Sequence, residues 1–239
     1  MTIFTIIPSL HATREELCAS IAYFPLVGLV LGVLLSALMW ALSPVLEPEP
    51  LAALLVVALA FMTRALHLDG LCDTADAIGS RAPRERALEI MKDSAAGSLG
   101  VVAVVSVLLL KTGAAVTLCR SNAWQLFILI PCLSRWSLNA LSSLSTYARK
   151  QEGLGSAFCM PHGQSATVIA ALSSIAASWF LFQLKGLFLF AGATGLSVVS
   201  ASYFKSRFGG VTGDCLGAHL ETVETLLFLT GAALFAWTG

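Results

Sequence analysis

Long apolar runs alternate with short polar segments along the chain. They cover about 21–42, 51–68, 98–118, 123–146, 165–184, 186–204 and 222–238. Each run is about 16 to 24 residues, enough to cross roughly 30 Å of hydrocarbon as a helix. Strands are not expected, because an open sheet edge cannot face lipid. The pattern predicts an all-α, polytopic helical integral membrane protein with about seven spans, forming a single transmembrane domain over residues 1–239. The block 165–204 is interrupted by "QLKG" and reads either as two spans or as one long helix with a re-entrant piece.

Composition supports this picture. The chain is 57% hydrophobic and 12% charged with a mean hydropathy of +0.83, about half the charge of a soluble domain. A formal net charge of zero gives no field that would recruit nucleic acid, and no basic and aromatic stripe is present. The opening "MTIFTIIPSLHATREELCAS" lacks the basic-then-apolar order of a cleaved leader and suggests an interfacial helix feeding the first span. The six cysteines form no CxxC pair, which fits small apolar fillers in a reducing cell better than a disulfide framework.

Loop charge sets an orientation. With the N-terminus inside, Arg14, Arg81, Arg84, Arg86, Lys92, Arg149, Lys150, Lys205 and Arg207 fall on the cytoplasmic side, and only Arg120 and Lys185 on the other. That bias predicts an inside N-terminus and an outside C-terminus. It also gathers "HLDGLCDTADA", "IMKDSAAG", "YARKQEGLGSAF" and "GGVTGDCLGAHLETVE" on one face, as an enzyme using cytosolic substrates requires.

The chemistry concentrates in those segments. Asp69, Asp73 and Asp76 follow an apolar run, and steps of four and three residues put them on one helix face. Like charges so close need compensation, and a hard divalent cation, Mg²⁺ or alternatively Mn²⁺, is the simplest partner for such oxygen donors. A solvated acidic helix end, or pairing with a distant arginine, is the bland alternative. Asp93 reads either as a catalytic carboxylate or as a cap of the third span. Asp214, Glu221 and Glu224 share a face behind "GGVTG", where Thr212 and Gly213 either present N–H groups to phosphate or simply cap the helix. Arg135 in an apolar span must pair with an acid or reach into a polar cavity, where phosphate recognition suits its fork. Lys111 reads as a snorkelling lysine. His67 and His219 flank the acidic clusters without a decided role.

The segments "FPLVGLVLG", "HLDGLCDTADA", "LEIMKDS", "SRW", "EGLG" and "TGDCLGA" together resemble the cobalamin-5′-phosphate synthase, or adenosylcobinamide-GDP ribazoletransferase, family. Two positions depart from its pattern: Cys72 stands where alanine is usual, and Ala95 where a basic residue is frequent. The resemblance implies a single transmembrane catalytic domain in a bacterial or archaeal cytoplasmic membrane, with its active site facing the cytoplasm. It implies transfer from adenosylcobinamide-GDP to α-ribazole 5′-phosphate or α-ribazole, with release of GMP. The small-molecule substrates and the lipid bilayer are then its partners, nucleic acid is not, and an oligomer is compatible. The expected site comprises catalytic Asp69, Asp73, Asp76, Asp93 and Asp214, with the first three holding Mg²⁺. His67, Arg135, Thr212, Gly213, Glu221 and Glu224 are expected at substrate or phosphate. The competing readings are another membrane-embedded phosphotransferase or prenyltransferase with a cytoplasmic Asp cluster, or a cation transporter. A transporter would place acids at mid-bilayer in several spans.

Overall fold

The computed structural model describes residues 14–93, 95–149, 156, 158 and 164–235. Among these, nearly all of the chain is helix. In order the helices are α1 (Arg14–Ser20), a 3₁₀ turn (Ile21–Tyr23), α2 (Phe24–Leu42), α3 (Pro48–Met62), α4 (Leu66–Gly79) and α5 (Arg84–Ile90). They continue with α6 (Ser98–Arg120), α7 (Trp124–Ser143), α8 (Gln164–Phe208) and α9 (Gly213–Phe235). Proline opens α2 and α3 in the first turn, where its missing N–H costs nothing.

Among the described residues, three helical stretches are long and apolar enough to cross a membrane: Cys18–Leu42, Ser98–Arg120 and Ser165–Phe208. The pair α3 and α4 qualifies as a fourth only if taken as one broken span. Side chains that a soluble protein would bury face outward on these helices, among them Trp40, Phe61, Leu109, Phe180 and Leu184. An outer surface of this kind suits lipid.

The structure corrects the expected span 51–68. α3 stops at Met62, Arg64 and Ala65 take left-handed backbone angles (φ 56° and 55°), and α4 leaves at 88° to α3. The Ala65 N–H closes the end of α3 on the Ala60 carbonyl at 2.8 Å. With α3 upright in a bilayer, that angle lays α4 along the membrane surface. The block 165–204 breaks at Gln183 (φ 49°, ψ −126°), within "QLKG". Gly186 abuts the Ser178 carbonyl, a meeting of residues that one straight helix would hold about 12 Å apart, so the chain turns back sharply here. The short α5 was not expected at all.

α7 is the central post, buried at every residue from Leu129 to Ser142 and packed chiefly on α2 and α8. Its neighbours are protein rather than lipid, which is why it tolerates Ser134, Ser137 and Asn139. Asn139 Nδ2 donates to the Ile21 carbonyl at 3.1 Å, Ser134 Oγ to Glu224 Oε2 at 2.9 Å and Ser137 Oγ to the Ser134 carbonyl at 2.7 Å, while Ser197 Oγ on α8 donates to the Ser137 carbonyl at 3.1 Å. Gly28 and Gly32, four residues apart, let α2 settle against the α7 backbone. A Cβ on Gly32 would lie 2.5 Å from the Ile128 Cα, and one on Gly28 would overlap the Pro131 carbonyl. Gly32→Ile therefore forces the two helices apart. The expected result is a folded yield in detergent several-fold below that of the parent protein, with a lowered melting temperature. Unchanged melting would mean that α2 and α7 need no such closeness.

The ends of the bundle differ. One end carries the Glu49–Arg120 ion pair, and Lys185 donating to the Leu234 carbonyl. The other carries α4, α5 and the start of α9, and with them the aspartates.

Candidate functional site

α4 and α9 pack face to face because glycine occupies their crossing. A Cβ on Gly70 would sit 2.8 Å from the Asp214 carbonyl oxygen, and one on Gly217 would sit 3.1 Å from that of His67. The crossing brings Asp69 and Asp73 on α4 to Asp214 on α9, far apart in sequence. Their fields register on one another. Burial, then the charges of Asp69, Asp214 and Asp76, push Asp73 up to about 6, with Arg149 opposing. Burial also raises Asp214, and Arg149 again opposes. Arg149 Nη2 donates to Asp214 Oδ2 at 2.7 Å. Among the described residues, Arg149 is the cation that opposes the negative charge at both Asp73 and Asp214. Among the described residues no three His, Cys, Asp or Glu side chains already close on a single point as a finished metal site.

Asp76 has a different task from its two neighbours. Its Oδ2 accepts the Gly97 N–H at 2.7 Å and its Oδ1 the Gly100 N–H at 2.8 Å. Gly97 is the N-cap residue of α6 and Gly100 lies in its first turn, where N–H groups have no partner within the helix. The two glycines leave room for the carboxylate: a Cβ on Gly97 would overlap it, and one on Gly100 would lie 2.5 Å from Cys72 Sγ. Asp76 therefore ties α4 to α6. Asp93 is exposed, and its Oδ1 accepts the Ala95 N–H at 3.1 Å in a local turn.

The turn before α9 is built as a cap. Thr212 Oγ1, fully buried, accepts the Cys215 N–H at 3.2 Å, so Thr212 caps α9 and Gly213 is its first residue. Gly209 (φ 75°) and Gly210 (φ 153°) then lead Val211 into a parallel bridge with Tyr147. Ala148 N–H donates to the Val211 carbonyl and Val211 N–H to that of Thr146, each at 2.9 Å. This bridge delivers Arg149 to Asp214. "EGLG" lies outside the described residues.

Arg135, Glu221 and Glu224 do not face the aspartates. They are 1%, 5% and 1% exposed and form a closed network with Lys111. Lys111 Nζ reaches Glu221 Oε2 at 2.6 Å and Glu224 Oε1 at 2.7 Å. Arg135 Nη1 meets Glu224 Oε2 at 2.5 Å, and Ser134 Oγ donates to the same oxygen at 2.9 Å. Two acids balance two bases between α6, α7 and α9. Lys111 does not snorkel; it is 3% exposed and held by both glutamates. His67, 3% exposed, lies within the field of Arg135, Glu224 and Lys111, on the network side of α4. His219 bridges Ser197 and Ser200 between α8 and α9 at 3.2 and 3.0 Å.

Sequence reasoning did not assign the Arg149–Asp214 pair or the Asp76 tie to α6. The signal available for the second was the small-residue opening "AAGSLG".

Beside this site lies a cavity of about 440 Å³, lined by Arg84, Glu85, Leu88, Glu89 and Lys92 from α5 and its end, with Ala148 and Arg149.

Comparison with known proteins agrees with the motif order. The family model described as cobalamin-5-phosphate synthase matches residues 1–232. The adenosylcobinamide-GDP ribazoletransferase of Geotalea daltonii is 40% identical, covering 95% of this chain and 91% of its own. Those of Syntrophobacter fumaroxidans and Pseudomonas fluorescens are 38% and 40% identical, covering 93% and 92% of this chain and 90% of each relative. No solved structure matches the chain. A match that runs almost end to end, through relatives of nearly the same length, places the chain in the cobalamin-5-phosphate synthase family.

Proposed function

We propose that this chain joins adenosylcobinamide-GDP to α-ribazole 5′-phosphate, or to α-ribazole, and releases GMP. The site is the α4–α9 crossing, which we assign to the cytoplasmic face of the cell membrane. The observation that carries this reading is the meeting of Asp69 and Asp73 with Asp214 in a chain of this family. In the reaction the ribose hydroxyl of the acceptor forms a bond to the phosphorus next to cobinamide. The P–O bond to GMP breaks, and GMP departs with the electron pair. Charge develops on the attacked phosphoryl oxygens and on the leaving phosphate.

Crowded carboxylates with Asp73 held near 6 form a donor set that suits a hard divalent cation. Asp69 and Asp73 would hold Mg²⁺, with substrate phosphates completing its ligands, while Asp76 keeps its oxygens on α6. When bound, Mg²⁺ supplies the positive charge that offsets the developing phosphoryl charge. Asp214, raised by burial and steadied by Arg149, is also the carboxylate best placed to take the hydroxyl proton. The surface position of α4 leaves the site open to soluble substrates.

Membranes or purified protein given both substrates and Mg²⁺ should release GMP in step with the cobalamin product; no release would sink the reading. A proton on Asp73 competes with the cation. The Mg²⁺ concentration for half-maximal turnover should therefore rise as pH falls through about 6. A requirement that stays flat from below to above that pH would remove Asp73 from the cation site.

A further inference from the structure

Phosphate recognition still needs cations, because Arg135 is sealed in its network. We propose that the cavity bounded by Arg84, Lys92 and Arg149 seats a nucleotide phosphate of one of the two substrates, an inference that rests on the functional reading above.

Arg149 joins the cavity to the reacting carboxylates. Its Nη2 is fixed on Asp214 at 2.7 Å, while its buried Nε has no partner among the described residues. A guanidinium held at one corner with an unused donor is half of a phosphate fork. Arg84 is placed from the other side. Its Nη2 donates to the Ala148 carbonyl at 3.2 Å, and its Cζ occupies the space where a Cβ on Gly209 would lie, at 2.5 Å. Gly209, at φ 75°, thus both makes the turn and admits the guanidinium. Lys92 supplies the third positive group at the end of α5. Glu85 and Glu89 share the lining, with Glu89 paired to Arg86 at 2.9 Å, so three cationic side chains face two acidic ones around the cavity.

Size narrows the ligand. About 440 Å³ admits a mononucleotide, falls within the range of small-molecule sites, and is too small for a corrinoid. The neighbouring Asp214 would carry the transfer, so a phosphate here belongs either to the nucleotide end of the donor or to the 5′-phosphate of the acceptor. Both sources present the same chemistry, and kinetics separate them.

The test is the steady-state kinetics of Arg84→Gln and, independently, Lys92→Gln in detergent-purified protein. Each is assayed with α-ribazole 5′-phosphate and with α-ribazole as acceptor, and with GMP as product inhibitor. Loss of an acceptor-phosphate contact raises KM for α-ribazole 5′-phosphate on the order of tenfold and leaves KM for α-ribazole in place. Loss of a donor contact raises KM for adenosylcobinamide-GDP, and the inhibition constant of GMP, by a similar factor with either acceptor. Either pattern supports the cavity as a phosphate seat. A fall in kcat with every KM and the GMP inhibition constant unmoved, or no change in either variant, overturns it. Lys92 lines the cavity without the Ala148 tie, so its variant still decides the matter if Arg84→Gln does not fold. Absence of GMP release from the parent protein would instead defeat the functional reading, so the two failures are distinguishable.

Discussion

Asp73→Ala should abolish GMP release, a loss of three orders of magnitude or more, in a protein that still folds and inserts. Asp73 stands between Asp69 and Asp76 on α4 and within the field of Asp214 on α9. Removing it takes away a proposed cation ligand without leaving a void, because the side chain is only partly buried. It also relieves repulsion among the remaining carboxylates, so the fold should be no less stable than the parent. The measurement pairs turnover at saturating Mg²⁺ with a thermal melt in detergent. Lost turnover with an unchanged or raised melting temperature fits a ligand role. Turnover within threefold of the parent would take Asp73 out of the chemistry. Asp76→Ala should behave differently. It strips two N–H partners from the start of α6, so its melting temperature should fall along with activity.

That contrast bears on what the chain reveals unaided. The acidic cluster was legible because carboxylates cannot follow an apolar run without a reason, and helical spacing put three of them on one face. The family was legible because its motifs keep their order over most of the chain. What one helix cannot show is which neighbour will claim an oxygen. Asp76 differs from Asp73 only because the glycines of α6 come close, and that closeness belongs to the tertiary fold. The end of α3 was hidden for a local reason: Arg64 and Ala65 take left-handed angles with no Gly or Pro to announce it. α5 was hidden because seven residues, four of them charged, carry too little periodicity to read. The break in α8 was half legible, since "QLKG" marked the place and not the direction of the chain beyond it.

The buried network offers the sharpest test of the difference between sequence and fold. Arg135, Glu221 and Glu224 suggested phosphate binding as long as each was considered alone. A lone lysine and a lone arginine in apolar helices, matched by two glutamates in a third, was the available clue to pairing. Glu224→Gln leaves Arg135 and Lys111 with one carboxylate between them in the interior. Breaking a buried pair in this way costs about 3–5 kcal/mol, so the variant should be recovered mostly unfolded or degraded. Adding Arg135→Met restores neutrality, because Lys111 keeps Glu221 at 2.6 Å and no unpaired guanidinium remains. The double variant should therefore regain most of the lost stability, a coupling of 2 kcal/mol or more. It should also regain turnover, since at 1% exposure Arg135 cannot reach a substrate. Melting temperature and GMP release are measured on the parent, both single variants and the double. A double variant that folds as well as the parent but releases no GMP would return Arg135 to the substrate. One that folds and turns over confines Arg135 and Glu224 to holding α7 and α9 together beneath the aspartates.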